Sequence, residues 1–311
     1  MRVVVVGLGV QGRKRQRVAA GDVVATVDPV VSDATHRHLS EVDPSIYDAA
    51  LLCVPDAAKA GLLKHLVACR KHALVEKPLS ETLELSLSEL QNLARVAGCF
   101  IYTAYNHRFE PHLARVRDML RKGAVGEPYR ISIFYGNGTA RLVRESGWRD
   151  TGSGVLHDLG SHVVDMMLEW CDRPTDDYSA VSGFTFENGA ADHVVFQALG
   201  YRPALFAELS LLSWRNTFRA EVIGSSGSLH VDGLAKWGES VLVWRRRVLP
   251  AGRPDETVWK IPEGDPTWAT EYEHFRNQCS VGATTDLMRD MIIDKALRSV
   301  ADDPRLNPRG D

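Results

Sequence analysis

Val3-Val4-Val5-Val6-Gly7-Leu8-Gly9-Val10-Gln11-Gly12 decides the fold of the first part of the chain. Four β-branched residues in a row, with no polar alternation, suit a strand buried on both faces of a parallel sheet. The glycines follow at G-x-G-x-x-G spacing, and residues 11–20 read as a helix opened by that loop. In this context each glycine has a task. Gly7 permits a tight turn, Gly9 lets the main chain approach a pyrophosphate, and Gly12 lets helix and strand pack closely. The start of the helix, with Val10 and Gln11, offers unpaired N–H groups and a positive dipole end to phosphates. Asp28 closes the next strand, 23–27, about where such a loop wants an acid for the ribose hydroxyls. Its carboxylate repels a 2′-phosphate, which favours NAD(H). Arg13, Lys14, Arg15 and Arg17 follow the loop; they form a solvated basic face or attract an anion, so NADP(H) stays open.

Outward from this stretch, strand-like runs at 49–54, 73–75 and 100–104 alternate with helical segments at about 57–71 and 80–97, Ser80 serving as N-cap and Gly98 as stop. Strand–helix alternation of this kind means a doubly wound parallel sheet with helices on both faces. Val54 and Pro55 end the third strand on the side where ligands of such sheets bind. Beyond Asn106 the pattern changes. Helices at about 111–122 and 154–171 flank a strand near 128–135. Runs at 180–186, 193–199, 206–212, 218–223, 228–231 and 241–248 then succeed one another with few helices, which implies a mainly antiparallel sheet. Helices at about 267–279 and 286–300 close the chain, and the charged, proline-containing tail 302–311 reads as frayed. The division expected is 1–106 and 107–311.

Two further motifs carry chemistry. Glu76-Lys77-Pro78 ends a strand at the carboxyl edge of the sheet, where a lysine can hydrogen-bond a substrate oxygen or a ribose and stabilise developing negative charge. The Lys77–Pro78 bond is open to the cis form. The helix near 154–171 carries His157, Asp158, His162 and Asp165 among Val155, Leu156, Leu159, Val163, Met166 and Met167. Asp158, His162 and Asp165 share one helical face, a narrow polar stripe on an apolar helix. A histidine with a carboxylate one turn away is a proton-transfer pair. A solvated face and a metal site are the competing readings. His157 points about 100° away from Asp158, which spoils a metal cluster. Gly160, costing about 1 kcal/mol relative to alanine in mid-helix, marks a close approach by another backbone or a ligand.

These signals, in this order, resemble the Gfo/Idh/MocA oxidoreductases, the glucose–fructose oxidoreductase and inositol dehydrogenase family. Asn106-His107-Arg108-Phe109-Glu110-Pro111 and Gly123-Ala124-Val125-Gly126 add to the likeness. The resemblance implies an N-terminal Rossmann domain and a C-terminal α/β domain on an open, mainly antiparallel sheet. It implies hydride transfer between a nicotinamide and a hydroxyl or keto carbon of a sugar, cyclitol or sugar derivative. On this resemblance Lys77, Asp158 and His162 are catalytic, with His162 moving the hydroxyl proton. Asn106, Arg108, Trp148 and Arg149 line the substrate pocket, and the outer face of the open sheet makes a homo-dimer or homo-tetramer. Two departures stand out. The family's T-P-N-x-x-H is here Val54-Pro55-Asp56-Ala57-Ala58-Lys59, with lysine in place of histidine. Residues 29–47 are also few between the second and third strands, so the adenine side is trimmed.

Composition excludes other classes. Lys plus Arg total 37 and Asp plus Glu total 40, a near-balance that argues against electrostatic binding to nucleic acid or anionic membrane. No apolar stretch reaches transmembrane length, and the opening apolar run is too short for a signal peptide. Cys53, Cys69, Cys99, Cys171 and Cys279 are odd in number and lack CxxC spacing, which reads as reduced thiols in a cytoplasm. The rival functions are a dinucleotide-sensing regulator, a hydrolase or epimerase using NAD transiently and, less favoured, a metal-dependent lyase.

Overall fold

The computed structural model describes residues 1–146, 150–171, 177–200 and 202–306. The chain forms two units: Met1–Asn106 with Thr267–Asp294, and His107–Pro266 with Lys295–Asp311. The first unit thus takes in residues 267–294 as well as the chain up to Asn106.

The first unit is built on five parallel strands, β1 (Val3–Val6), β2 (Val23–Val27), β3 (Ala49–Leu52), β4 (His72–Glu76) and β5 (Ile101–Ala104), in the order β2-β1-β3-β4-β5. Every residue of β1, β3 and β5 is buried, as their unbroken apolar runs require. Helices α1 (Val10–Ala19), α2 (Asp56–Ala68) and α3 (Leu87–Ala97) supply the crossovers. The strand order reverses between β1 and β3, so the crevice for a ligand opens at their carboxyl ends. Residues 29–48 add neither strand nor α-helix. They make two short 3₁₀ turns and a bridge from His36 to Val27, which leaves β2 at the sheet edge. Helix α3 starts later than expected. Ser86, not Ser80, accepts from the Glu89 amide as N-cap, while Gly98 ends the helix in the left-handed region as expected.

The second unit contains α4 (Pro111–Arg121), β6 (Pro128–Gly136), α5 (Ala140–Arg144) and α6 (Ser161–Trp170), the last preceded by a π-helical turn at Leu156–Gly160. Strands β7 (Ser179–Phe184), β8 (His193–Ala198), β9 (Ala204–Ser210), β10 (Thr217–Gly224), β11 (Gly227–Asp232), β12 (Ser240–Val248) and β13 (Gly252–Ile261) follow. With β6 they make an eight-stranded sheet ordered β13-β12-β11-β10-β6-β9-β8-β7, parallel only at β6/β9. One face packs against α6, of which only Glu169 is not fully buried. The terminal helices are α7 (Thr267–Ser280) and α8 (Met288–Ala301). The described part of the tail is docked rather than frayed. Asp303 accepts from the Ala180 amide, and buried Leu306 meets Gly183.

The G-x-G-x-x-G turn has a sharply uneven tolerance for side chains. A Cβ on Gly7 would lie 2.3 Å from the Cys53 carbonyl oxygen, and one on Gly12 only 1.8 Å from the Gly7 carbonyl oxygen, whereas Gly9 has open space. Gly12→Ala is therefore expected to lower stability by about 3 kcal/mol or more, as severe overpacking does. Gly9→Ala, at an ordinary φ of −67°, should leave the thermal midpoint close to wild type. Denaturant melts of the two variants check the contrast.

Candidate active site

At the end of β2, Asp28 does more than close a strand. Its Oδ2 accepts from the Leu8 amide at 2.8 Å, and its Oδ1 from the Val30 and Val31 amides at 2.9 Å each. The glycine turn is thus tied to the neighbouring strand through a single carboxylate. Burial pushes the Asp28 carboxyl up, but the three donating amides outweigh it and hold it below the ordinary aspartate value. A carboxylate that is charged at neutral pH and sits beside the glycine turn is the group a ribose diol needs. The open space over Gly9, the exposed Val10 and Gln11, and the helix N-terminus of α1 fit a diphosphate.

The basic residues after the loop are not one solvated face. Arg13 pairs with Asp33 at 2.5 Å. Arg15 is buried: its Nε donates to Glu76 at 2.8 Å, one terminal nitrogen donates to Glu271 at 2.6 Å, and Trp268 stacks over its guanidinium. Glu76 therefore holds α1 to the end of β4. The Lys77–Pro78 bond is cis. Val54 and Pro55 lead from β3 into α2, with Val54 beside Gly7. Lys59, at the position of the missing histidine, is buried, and its ammonium lies 2.6 Å from both the Pro78 carbonyl oxygen and Asp56. Asn106, expected to line a substrate pocket, is buried in the first unit and donates to the Thr267 hydroxyl at 2.9 Å.

In the second unit His162 is buried on α6, and Asp158 is half-buried in the π-helical turn before it. The turn changes the helical phase assumed for the stripe. Asp165 faces Arg108 and takes its Nε and a terminal nitrogen in a forked pair, the shortest contact being 2.6 Å. Arg108 is thereby fixed in direction, and Asp165 is the group that orients it. The approach foreseen at Gly160 is made by side chains: a Cβ there would meet Leu156, Leu297 and Leu209 at 2.9–3.3 Å. Trp148 and Arg149 lie outside the described residues. Among the described residues no group of His, Cys, Asp and Glu is arranged to hold a metal ion.

The structure adds neighbours that the sequence reading passed over. The His107 ring lies 4.0 Å from that of His162, centroid to centroid, and Tyr135 packs against both. Lys236 is 3.3 Å from His107 Nε2 and lies over Trp237. An ammonium can only donate, so Nε2 is the acceptor in this contact. Burial, then the Asp158 carboxylate, push the Tyr135 phenol far up, so it remains protonated at any working pH. Glu110 aligns this corner. It caps α4 through the His112 and Leu113 amides and accepts from the Ala235 amide, next to Lys236. His107 stood inside a quoted motif, and Tyr135 at an inward position of β6; a lone loop lysine at 236 gave no signal.

Residues 113–230 match the family model described as the GFO/IDH/MocA C-terminal domain. An uncharacterized oxidoreductase of Bacillus subtilis, YrbE, is 31% identical over 132 residues, covering 40% of this chain and 35% of that protein. The scyllo-inositol 2-dehydrogenase (NADP(+)) IolW of the same organism is 26% identical over 43% of this chain and 38% of its own length. The chain thus spans little more than a third of the length of these two curated relatives. A solved levoglucosan dehydrogenase, in complex with NADH and levoglucosan, superposes with a TM-score of 0.80 at 18% identity, over 97% of both chains. That likeness establishes the two-part α/β fold. No helix among the described residues is long and apolar enough to cross a membrane.

Asp28→Asn should cost about 1–3 kcal/mol at neutral pH by weakening the amide contacts at the turn. Because the native carboxyl sits below its ordinary value, its stabilising contribution is complete above that value and fades as pH falls through the native one. Equilibrium unfolding of wild type and variant across pH 2–7 should therefore show two curves converging toward acid.

Proposed function

From a chain that carries the C-terminal domain of the Gfo/Idh/MocA family, we propose an NAD(P)-dependent oxidoreductase acting on a hydroxyl or keto carbon of a sugar, cyclitol or sugar derivative. The observation that carries this reading is the conjunction of a diphosphate-shaped glycine turn, anchored by Asp28, with a buried histidine on the helix where the family keeps its acid–base residue. Gly7, Gly9, Val10, Gln11, Gly12 and Asp28 would hold the dinucleotide, with Val54, Pro55, Glu76 and Lys77 on its nicotinamide side. When bound, the nicotinamide supplies the acceptor or donor of the hydride.

This chain's own residues handle the proton. In oxidation the hydroxyl proton passes to His162 as the carbon gives up its hydride; in reduction His162 returns it. On the family resemblance Lys77 and Asp158 orient the hydroxyl, and Arg108, steadied by Asp165, contacts substrate oxygens. NAD(H) is the favoured cofactor. Asp28 opposes a 2′-phosphate, and the two nearby arginines are engaged within the protein: Arg13 with Asp33, and Arg37 with the Asp28 and Val31 carbonyls. The free state of all five cysteines suits a cytoplasmic setting. A second copy would cover the outer sheet face, where Phe134, Val195, Phe206 and Val243 lie among Arg219, Glu221 and His230, giving a homo-dimer or homo-tetramer.

Incubation with NAD or NADP and a panel of polyols, sugars and keto-sugars should produce a change in nicotinamide fluorescence with at least one member. Cofactor binding without turnover on any of them would instead favour a sensing role. His162→Ala is expected to cut turnover by about 10²-fold or more while cofactor affinity stays near wild type; unchanged turnover would remove His162 from the chemistry. Light scattering on a sizing column should give a mass of at least two chains, and Phe206→Glu should shift it toward one.

A further inference from the structure

Lys59 departs from the family pattern and is unusual on physical grounds. A lysine 2% exposed has lost nearly all its hydration, which is costly unless its charge is met by close partners. Lys59 has two, each at 2.6 Å: the Asp56 carboxylate one turn back on α2, and the main-chain carbonyl of Pro78. Burial lowers its pKa, and Asp56 counters that. Asp56 is a partly exposed neighbour on the same helix and needs no buried lysine. The Pro78 carbonyl is different, because it belongs to the residue immediately after Lys77.

The residue before Lys77 is also held. Glu76 accepts from Arg15, itself fully buried between Glu76 and Glu271. Both flanks of Lys77 are thus tied by cations from other elements, Arg15 on α1 and Lys59 on α2. A side chain leaves the main chain in a direction set by the local backbone, so fixing the Pro78 carbonyl restricts where the Lys77 amine can go. We propose that Lys59 is a positioning residue for Lys77, the donor that holds the turn from which Lys77 departs. A histidine in its place has a shorter, stiffer reach, and the long lysine stem lets α2 grip the 77–78 turn by its main chain. The inference deepens the oxidoreductase reading, in which Lys77 is catalytic.

The test reads Lys77 directly and needs no substrate. Trace labelling of the folded protein with acetic anhydride, followed by peptide mass spectrometry, gives a relative rate for each lysine. Lys59→Met should change the rate at Lys77 by about threefold or more, within the range for coupled neighbours, while Lys14, Lys122 and Lys260 keep theirs. Lys59→Gln retains a donor of shorter reach, should give an intermediate change, and serves if the methionine variant does not fold. A Lys77 rate equal to wild type in the folded variants, or one that shifts together with every other lysine, overturns the proposal. With a turned-over substrate in hand, Lys59→Met should lower kcat about tenfold in the native background and less than about twofold beside Lys77→Ala. Equal losses in the two backgrounds mean a merely structural role. Absence of turnover would count against the oxidoreductase reading, and the labelling would still decide the role of Lys59.

Discussion

The carbonyl of Gly7 and the α-carbon of Gly12 approach so closely that no side chain fits between them. Much of the first unit follows from that contact. It lets α1 start directly over the end of β1, which aims unpaired amides outward and leaves Gly9 uncovered. Asp28 completes the turn by accepting from Leu8, so the geometry of the loop is carried by the neighbouring strand and not by the loop alone. The same carboxylate also gathers the Val30 and Val31 amides, organising the short segment that follows the edge strand β2.

In the second unit the corresponding constraint is burial of charge. Helix α6 is almost wholly enclosed, yet it carries His162 and Asp165. A buried carboxylate needs a partner, and the forked pair with Arg108 supplies one, turning a cost into a fixed direction for the guanidinium. His162 meets a different environment, the rings of His107 and Tyr135, with Lys236 donating to the former. Asp165 is met by an ion pair, and the His162 ring packs beside those of His107 and Tyr135.

How far the sequence could be read depended on whether the signal was local. The parallel sheet of β1 to β5 and the close helix–strand packing at Gly12 were legible, because an apolar run and a glycine spacing are local facts. So was the sheet of the second unit, although β13 went unseen: its first half, Gly252-Arg253-Pro254-Asp255-Glu256, carries turn-forming and charged residues that imitate an exposed loop. Ser80 was read as the helix cap, but the helix begins a turn and a half later at Ser86, a start that the serine at 80 and the apolar residues after it did not reveal. Arg15 was illegible as a buried residue, since one of its two carboxylate partners, Glu271, lies 256 positions away. The π-helical turn also broke the helical spacing on which the shared face of Asp158, His162 and Asp165 was argued. Residue types were thus easier to foresee than their partners, which depend on contacts distant in sequence.

The proposed activity depends on the glycine turn, set by Gly7, Gly12 and Asp28, receiving a nicotinamide dinucleotide. Titration of the purified protein with NADH, followed by nicotinamide fluorescence and repeated in the presence of ADP-ribose, addresses it directly. A dinucleotide seated on this turn gives a saturable, blue-shifted emission that ADP-ribose competes away and that Gly9→Ala weakens without unfolding the chain. An emission that never saturates, or binding untouched by both the competitor and the substitution, would contradict it.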